Sequence, residues 1–185
     1  CDEFQLPKDL GKLEVVLPDS GLVYDYTYEN KGRGAWKHWN EFIRGTDKTE
    51  NKKIREILVP TMDTARYKFL MNLCITNNIP ILFVGSTGTG KSVYVQDKLM
   101  NELPKEQFVP SFVNFSAQTS ANMTQNIIMS KLDRRRKGVF GPPINKMAVI
   151  FVDDMNMPQK EIYGAQPPIE LLRQYFDHGN WYDIK

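Results

Sequence analysis

Apolar and polar positions along this chain change period several times, and each change predicts an element. Tyr24, Tyr26 and Tyr28 alternate with Asp25 and Thr27, which predicts a strand with one aromatic face. Residues 30–34, Asn-Lys-Gly-Arg-Gly, break it as a turn. Trp36, Trp39 and Ile43 then recur at helical spacing with Phe42 alongside, a stripe that reads as core or interdomain packing rather than a ligand box. The charged stretch 47–53 reads as a surface loop or linker, and residues 54–59 as a short extended segment ended by Pro60. Thr61 or Asp63 is placed to cap a helix running to about Thr76, with Tyr67, Leu70, Met71 and Cys74 on one face.

From there the order is strand, helix, strand, helix, strand, helix. The strands are 81–84, 108–115 and 147–152. The helices are 91–103, about 120–135, and one opened by Pro168 and stopped by Gly179, with Ile169, Leu172 and Phe176 on one side. The last strand, Met-Ala-Val-Ile-Phe-Val, is apolar on both faces, as strands inside a parallel sheet are. This alternation predicts an α/β fold, a parallel central sheet flanked by helices, over residues 59–185. Residues 1–58 differ in texture and read as a separate N-terminal segment. No internal repeat or low-complexity stretch interrupts either part.

The strongest chemical signal sits between the first strand and its helix. Gly85, Ser86, Thr87, Gly88, Thr89, Gly90, Lys91 and Ser92 satisfy the phosphate-loop pattern G-x-x-x-x-G-K-[ST]. The glycines let the backbone curl so that several N–H groups face one set of phosphate oxygens. Lys91 supplies a charge that reaches the outer phosphates. Ser92 supplies a hydroxyl for Mg2+, and the helix directs its positive end inward.

Such a loop leaves the metal ion with few protein partners, and an acid at the end of a neighbouring apolar strand completes its surroundings. Asp153 and Asp154 end the strand 147–152. The second acid of such pairs commonly orients the attacking water and is usually Glu. Asp154 is one methylene shorter, so a working base, a slow base and a binding residue all stay open. Asn114, at the end of the strand before, is placed either to hold the catalytic acid or to satisfy a local backbone group. His38 and His178 have no metal-ligand spacing, and His178 reads as a helix-end cap. A guanine site would need Asn-Lys-x-Asp. The nearest string, Asn145-Lys146-Met147-Ala148, lacks the acid, and no Asp-x-x-Gly switch follows Asp153, so ATP is the expected nucleotide.

Bulk properties narrow the class. Lys plus Arg number 24 against 22 Asp plus Glu, and a net charge of +2 makes no case for nucleic acid. The run Arg134-Arg135-Arg136-Lys137 could touch a polyanion but reads rather as a solvated helix end, where cations suit the dipole. Two cysteines, Cys1 and Cys74, form no disulfide framework and favour a reducing compartment. No apolar run approaches the roughly 20 residues that span a bilayer, so no membrane is expected. Without an initiating Met, the chain is expected to be a piece of something longer.

Taken together, these strings resemble one AAA+ module of a dynein heavy chain, most of all the third of the six ring modules in an axonemal dynein. The resemblance is carried by Val-Pro-Thr-Met-Asp-Thr-Ala-Arg-Tyr at 59–67, the phosphate loop at 85–92, and Asn-Phe-Ser-Ala-Gln-Thr at 114–119. Phe-Val-Asp-Asp-Met-Asn-Met-Pro at 151–158, Tyr-Gly-Ala-Gln-Pro-Pro-Ile-Glu-Leu-Leu-Arg-Gln-Tyr at 163–175, and Gly-Leu-Val-Tyr-Asp-Tyr-Thr-Tyr at 21–28 extend it.

It implies that Val59, Pro60 and Thr61 pack around adenine and that residues 85–92 hold the phosphates of ATP or ADP. Ser92 and Asp153 would hold Mg2+, and Asp154 would take the water-orienting position. It further implies that residues 1–58 lead from the preceding module and that the site gates the first module's hydrolysis cycle. The partners implied are neighbouring AAA+ modules of the same chain, with microtubules and other dynein subunits engaged by the whole motor in the cilium axoneme. A polar sensor, a helical lid and a neighbour's arginine finger are expected outside residues 1–185. The chain alone should therefore bind nucleotide weakly and turn over negligibly. An ADP-holding module without hydrolysis is the alternative. An unrelated P-loop kinase or helicase is disfavoured by the match outside the phosphate loop.

Overall fold

A computed structural model of the chain describes residues 15–43 and 58–182; Cys1, the charged stretch 47–53 and the extended residues 54–57 lie outside them. Its contacts divide the chain into two compact units, Cys1–Ile81 and Leu82–Lys185.

In the first unit, β1 (Tyr26–Glu29) pairs antiparallel with β2 (Ala35–His38), Tyr28 opposite Trp36 and Tyr26 opposite His38. Both pairs meet edge to face at 5.2 Å, the cross-strand aromatic contact that stabilises a short ladder. Glu29 receives Lys31 at 2.8 Å and also pairs with Lys37. Hydrogen bonds from Lys31 and then Lys37 lower the Glu29 carboxyl from 4.5 to about 2. The alternating tyrosines predict a strand from Tyr24, but Val23–Asp25 is a 3-10 turn. There the Asp25 carboxylate accepts from the Leu22 N–H at 2.8 Å, a local bond that competes with strand pairing.

The tryptophan stripe is not a helix either. Trp36 lies on β2, and Trp39–Phe42 is a 3-10 turn opened by His38, whose Nδ1 accepts from the Asn40 N–H. The packing expectation holds for Trp39, which is buried against Phe42 and Phe69. Helix α1 (Met62–Thr76) starts where Thr61 accepts from the Thr64 N–H at 3.2 Å. Thr64, Met71 and Ile75 are its buried residues. Tyr67 and Leu70, expected on the buried face, are half-exposed along a cleft shared with Leu22, Tyr24, Met62 and Arg66. Cys74 is a half-buried free thiol rather than a core residue.

In the second unit, α2 (Lys91–Asp97) continues into a π-helical turn, Lys98–Glu102, so the expected single helix changes winding halfway. Strands β3 (Phe108–Asn114) and β6 (Met147–Asp153) pair in parallel over seven positions, from Phe108 opposite Met147 to Asn114 opposite Asp153. Helix α3 (Ala121–Ser130) is capped by Ser120, and α4 (Pro167–His178) ends at Gly179, whose φ of 70° is the left-handed value glycine tolerates. Val113, Phe115 and Ile128 are the buried centre, with Val152, Met155, Leu172 and Trp181 packed against them, so helices flank the parallel pair.

One expected strand does not form and one expected helix ends early. Residues 81–84 join no sheet among the described residues, and Val84 is 83% exposed. An apolar run sets a preference for burial, but a strand exists only where another strand accepts its backbone groups. Helix α3 stops at Ser130, not near Arg135, and β4 (Asp133–Arg136) turns back antiparallel to β5 (Val139–Gly141). After Leu132 no apolar residue continues the buried face, and Gly138 at φ 72° permits the reversal.

Ile128 is 2% exposed at the centre of this core. Ile128→Ala is expected to lower unfolding stability by about 3 kcal/mol, read as a shifted urea midpoint at unchanged slope. A loss below about 1 kcal/mol would place the core elsewhere.

Candidate functional site

The phosphate-loop segment folds as a tight curl before α2. Gly88 and Gly90 sit at φ 82° and 80°, values that L side chains rarely adopt. A Cβ on Gly90 would also stand 3.0 Å from the Tyr94 ring, so two constraints converge on that glycine. Tyr94 escaped the sequence reading; its only signal is a position one helical turn beyond Gly90.

Lys91 is the hub of the loop. Its ammonium donates to the carbonyls of Gly85 at 2.9 Å and Ser86 at 2.5 Å, and to the Thr89 hydroxyl oxygen at 3.2 Å. The Thr89 hydroxyl itself donates to the Ser86 carbonyl at 2.9 Å. A three-donor ammonium is thus held inside the curl by groups that keep the charge central, because i to i+6 geometry folds the side chain back over the loop.

The first residue of α2 after Lys91 reaches the sheet. Ser92 Oγ donates to Asp153 Oδ1 at 2.8 Å, and the Asp154 N–H donates to the same oxygen at 3.0 Å. The β3–β6 register places Asp153 there, with the Phe115 N–H donating to its carbonyl at 3.1 Å. Asp154 follows the strand at φ 53°, in the left-handed region that aspartate tolerates better than most residues. The Met157 N–H donates to its carbonyl at 2.9 Å, and this turn leaves the Asp154 carboxylate exposed.

Among the sequence-predicted residues, Gly85, Ser86, Thr87, Gly88, Thr89, Gly90, Lys91, Ser92, Asp153 and Asp154 all lie in the second unit. Within it, the loop's last residue, Ser92, meets the strand-end acid. Val59, Pro60 and Thr61 belong to the first unit, where they lead into α1. Asn114 is exposed opposite Asp153, and its amide bonds neither acid among the described residues. His38 caps a turn, and the His178 carbonyl accepts from Asn180 at 3.3 Å. Among the described residues no group of three or more His, Cys, Asp or Glu could hold a metal ion, and no helix is long and apolar enough to cross a membrane.

Comparison with known proteins bears on the family of the chain. The P-loop containing dynein motor region family matches residues 46–185. Dynein axonemal heavy chain 12 of Mus musculus is 63% identical over the whole chain, and its Homo sapiens counterpart 62%. Dynein axonemal heavy chain 3 of Mus musculus is 56% identical over 92% of the chain. The chain spans only 6% of the length of the first two relatives and 4% of the third. A parallel α/β core, a loop curled on its lysine and a family match over residues 46–185 lead to one assignment: this chain belongs to the dynein motor-region family, and axonemal heavy chains are among the proteins it is similar to.

Proposed function

We propose that this chain binds ATP and ADP with Mg2+ as the third AAA+ module of an axonemal dynein ring. In that reading residues 59–185 form part of the module, and residues 1–58 lead into it from the module before. The observation that carries the proposal is the Ser92–Asp153 bond at 2.8 Å. It joins the hydroxyl that follows the phosphate-loop lysine to the acid that ends the adjoining strand, two oxygens of the kind that a nucleotide-bound Mg2+ takes from protein.

The donor set fits that ion. Mg2+ is a hard cation that keeps several waters and takes one or two protein oxygens beside the phosphates, so it needs no cluster of three acids. Ser92 and Asp153 would hold it, and when bound it neutralises charge on the phosphate oxygens. Lys91 and the loop's N–H groups, Gly85 to Ser92, would bind the phosphates. Val59, Pro60 and Thr61 would pack on the adenine. Asp154 would stand at the water-orienting position.

The module's nucleotide state would regulate ATP-driven movement on microtubules in the cilium, acting through neighbouring modules of the heavy chain. A second reading, an ADP-holding module without hydrolysis, is favoured by one feature: the Asp154 carboxylate is a methylene shorter than the usual glutamate.

Titration of the chain with ATP by calorimetry separates binding from no binding. Affinity is expected to fall about tenfold when Mg2+ is chelated, and Ser92→Ala is expected to remove most of that difference. Equal affinity with and without Mg2+, or none at all, would refute the proposal.

A further inference from the structure

The basic run that reads as a helix end in the sequence forms, in the structure, strand β4 and the start of the turn of an antiparallel hairpin. Strand β4 is exposed at all four positions. The β4–β5 pair is a two-stranded sheet joined to no other strand among the described residues. Arg135 is the extra residue of a bulge, and its guanidinium donates to the Pro142 carbonyl, pinning the base of the returning strand. Arg134, Arg136 and Lys137 have no carboxylate partner among the described residues.

The charge balance here is lopsided. Residues 131–146 contain Lys131, Arg134, Arg135, Arg136, Lys137 and Lys146 against the single carboxylate Asp133, a local charge of +5 in a chain whose total is +2. Everything else therefore sums to −3, and the hairpin is the chain's main positive feature. Clustered like charges repel one another and oppose a hairpin that is already marginal as two strands. One edge lysine would suffice to block strand-to-strand aggregation. Three consecutive arginines and a lysine at the turn exceed that need.

We propose that the β4–β5 hairpin is a docking surface for a carboxylate-rich polypeptide segment. Arg134, Arg136 and Lys137 meet the acids; arginine's planar fork pairs a carboxylate through two parallel bonds. Val139, 38% exposed opposite Arg136, and Ile144, 74% exposed three residues past the end of β5, offer apolar contact that a protein partner can use. A nucleic acid would instead call for a broad basic field and exposed aromatic faces for stacking. The hairpin is narrow, and its one aromatic residue, Phe140, is half-buried.

Carbodiimide treatment of the full heavy chain tests this, because it joins a lysine amine to a carboxylate only where the two touch. Mass spectrometry should find Lys137 coupled to an Asp or Glu outside residues 131–146. The yield should fall about fivefold or more in Arg134→Glu/Arg136→Glu and in high salt. Arg134→Gln/Arg136→Gln should lose yield in the same direction, which guards against a hairpin misfolded by charge reversal. Arg134→Lys/Arg136→Lys should retain most of it. Coupling to Asp133 alone, no coupling, equal yield in the charge-reversed protein, or capture of single-stranded RNA or anionic vesicles in place of a polypeptide would overturn the proposal.

Discussion

Lys91→Ala is expected to weaken nucleotide binding by about 100-fold or more, the largest effect of any single substitution in the loop. The ammonium gathers three bonds within the curl, to Gly85, Ser86 and Thr89. Losing it removes the brace that keeps the loop curled and, in the proposed nucleotide complex, the positive charge that would meet the phosphates. A truncated charge partner in a hydrogen-bonded pair costs roughly 2–5 kcal/mol, and about 3 kcal/mol is already a factor near 150 in the dissociation constant. Fluorescent-nucleotide titration of the wild-type and variant chains checks this. Lys91→Arg separates the two contributions: it keeps the charge but brings a wide planar head in place of a compact one. Its affinity is expected to lie nearer the alanine variant than the wild type. A variant that bound as tightly as wild type would move the nucleotide away from this loop.

Why the loop was legible and other features were not follows from how far apart their determinants lie. Gly85 to Ser92 is contiguous, so glycine conformations, lysine reach and the Ser92 position are all written in one short string. Asp153 was legible because an apolar run that ends in acids marks a strand end, and the β3–β6 register then sets its height beside Ser92. The 133–141 hairpin was not, because arginines are good helix formers and only the loss of apolar positions after Leu132 marks the change. The tryptophans misled for a related reason. A three-residue spacing fits both a helix and a strand running into a 3-10 turn, and Trp36 and Trp39 take the second form. Residues 81–84 expose the remaining gap: a ladder partner is a long-range choice, and hydrophobicity alone does not make it. The π turn at Lys98–Glu102 has no sequence signal that we can name.

Asp154→Asn in the full motor distinguishes the two readings of the site. If Asp154 orients the attacking water, phosphate release from this module should fall about 100-fold, the lower end of what a positioned base contributes. Nucleotide should stay bound, because Asn keeps the side-chain length and the backbone that donates to Asp153 at 3.0 Å. Its tolerance of the left-handed region also matches the φ of 53° observed there. The substitution therefore removes a charge and leaves the turn in place. Single-turnover phosphate release, with the first module's hydrolysis blocked, isolates the step. Unchanged release, unchanged motility and unchanged nucleotide content would favour the ADP-holding role instead. Asp154→Glu carries the complementary information. Restoring the methylene that glutamate provides should raise release if reach is what limits this carboxylate, since a displacement near 1 Å costs about 100-fold. A rate that falls with both substitutions would mean that the turn from Asp154 to Met157 already places the shorter acid where the water sits.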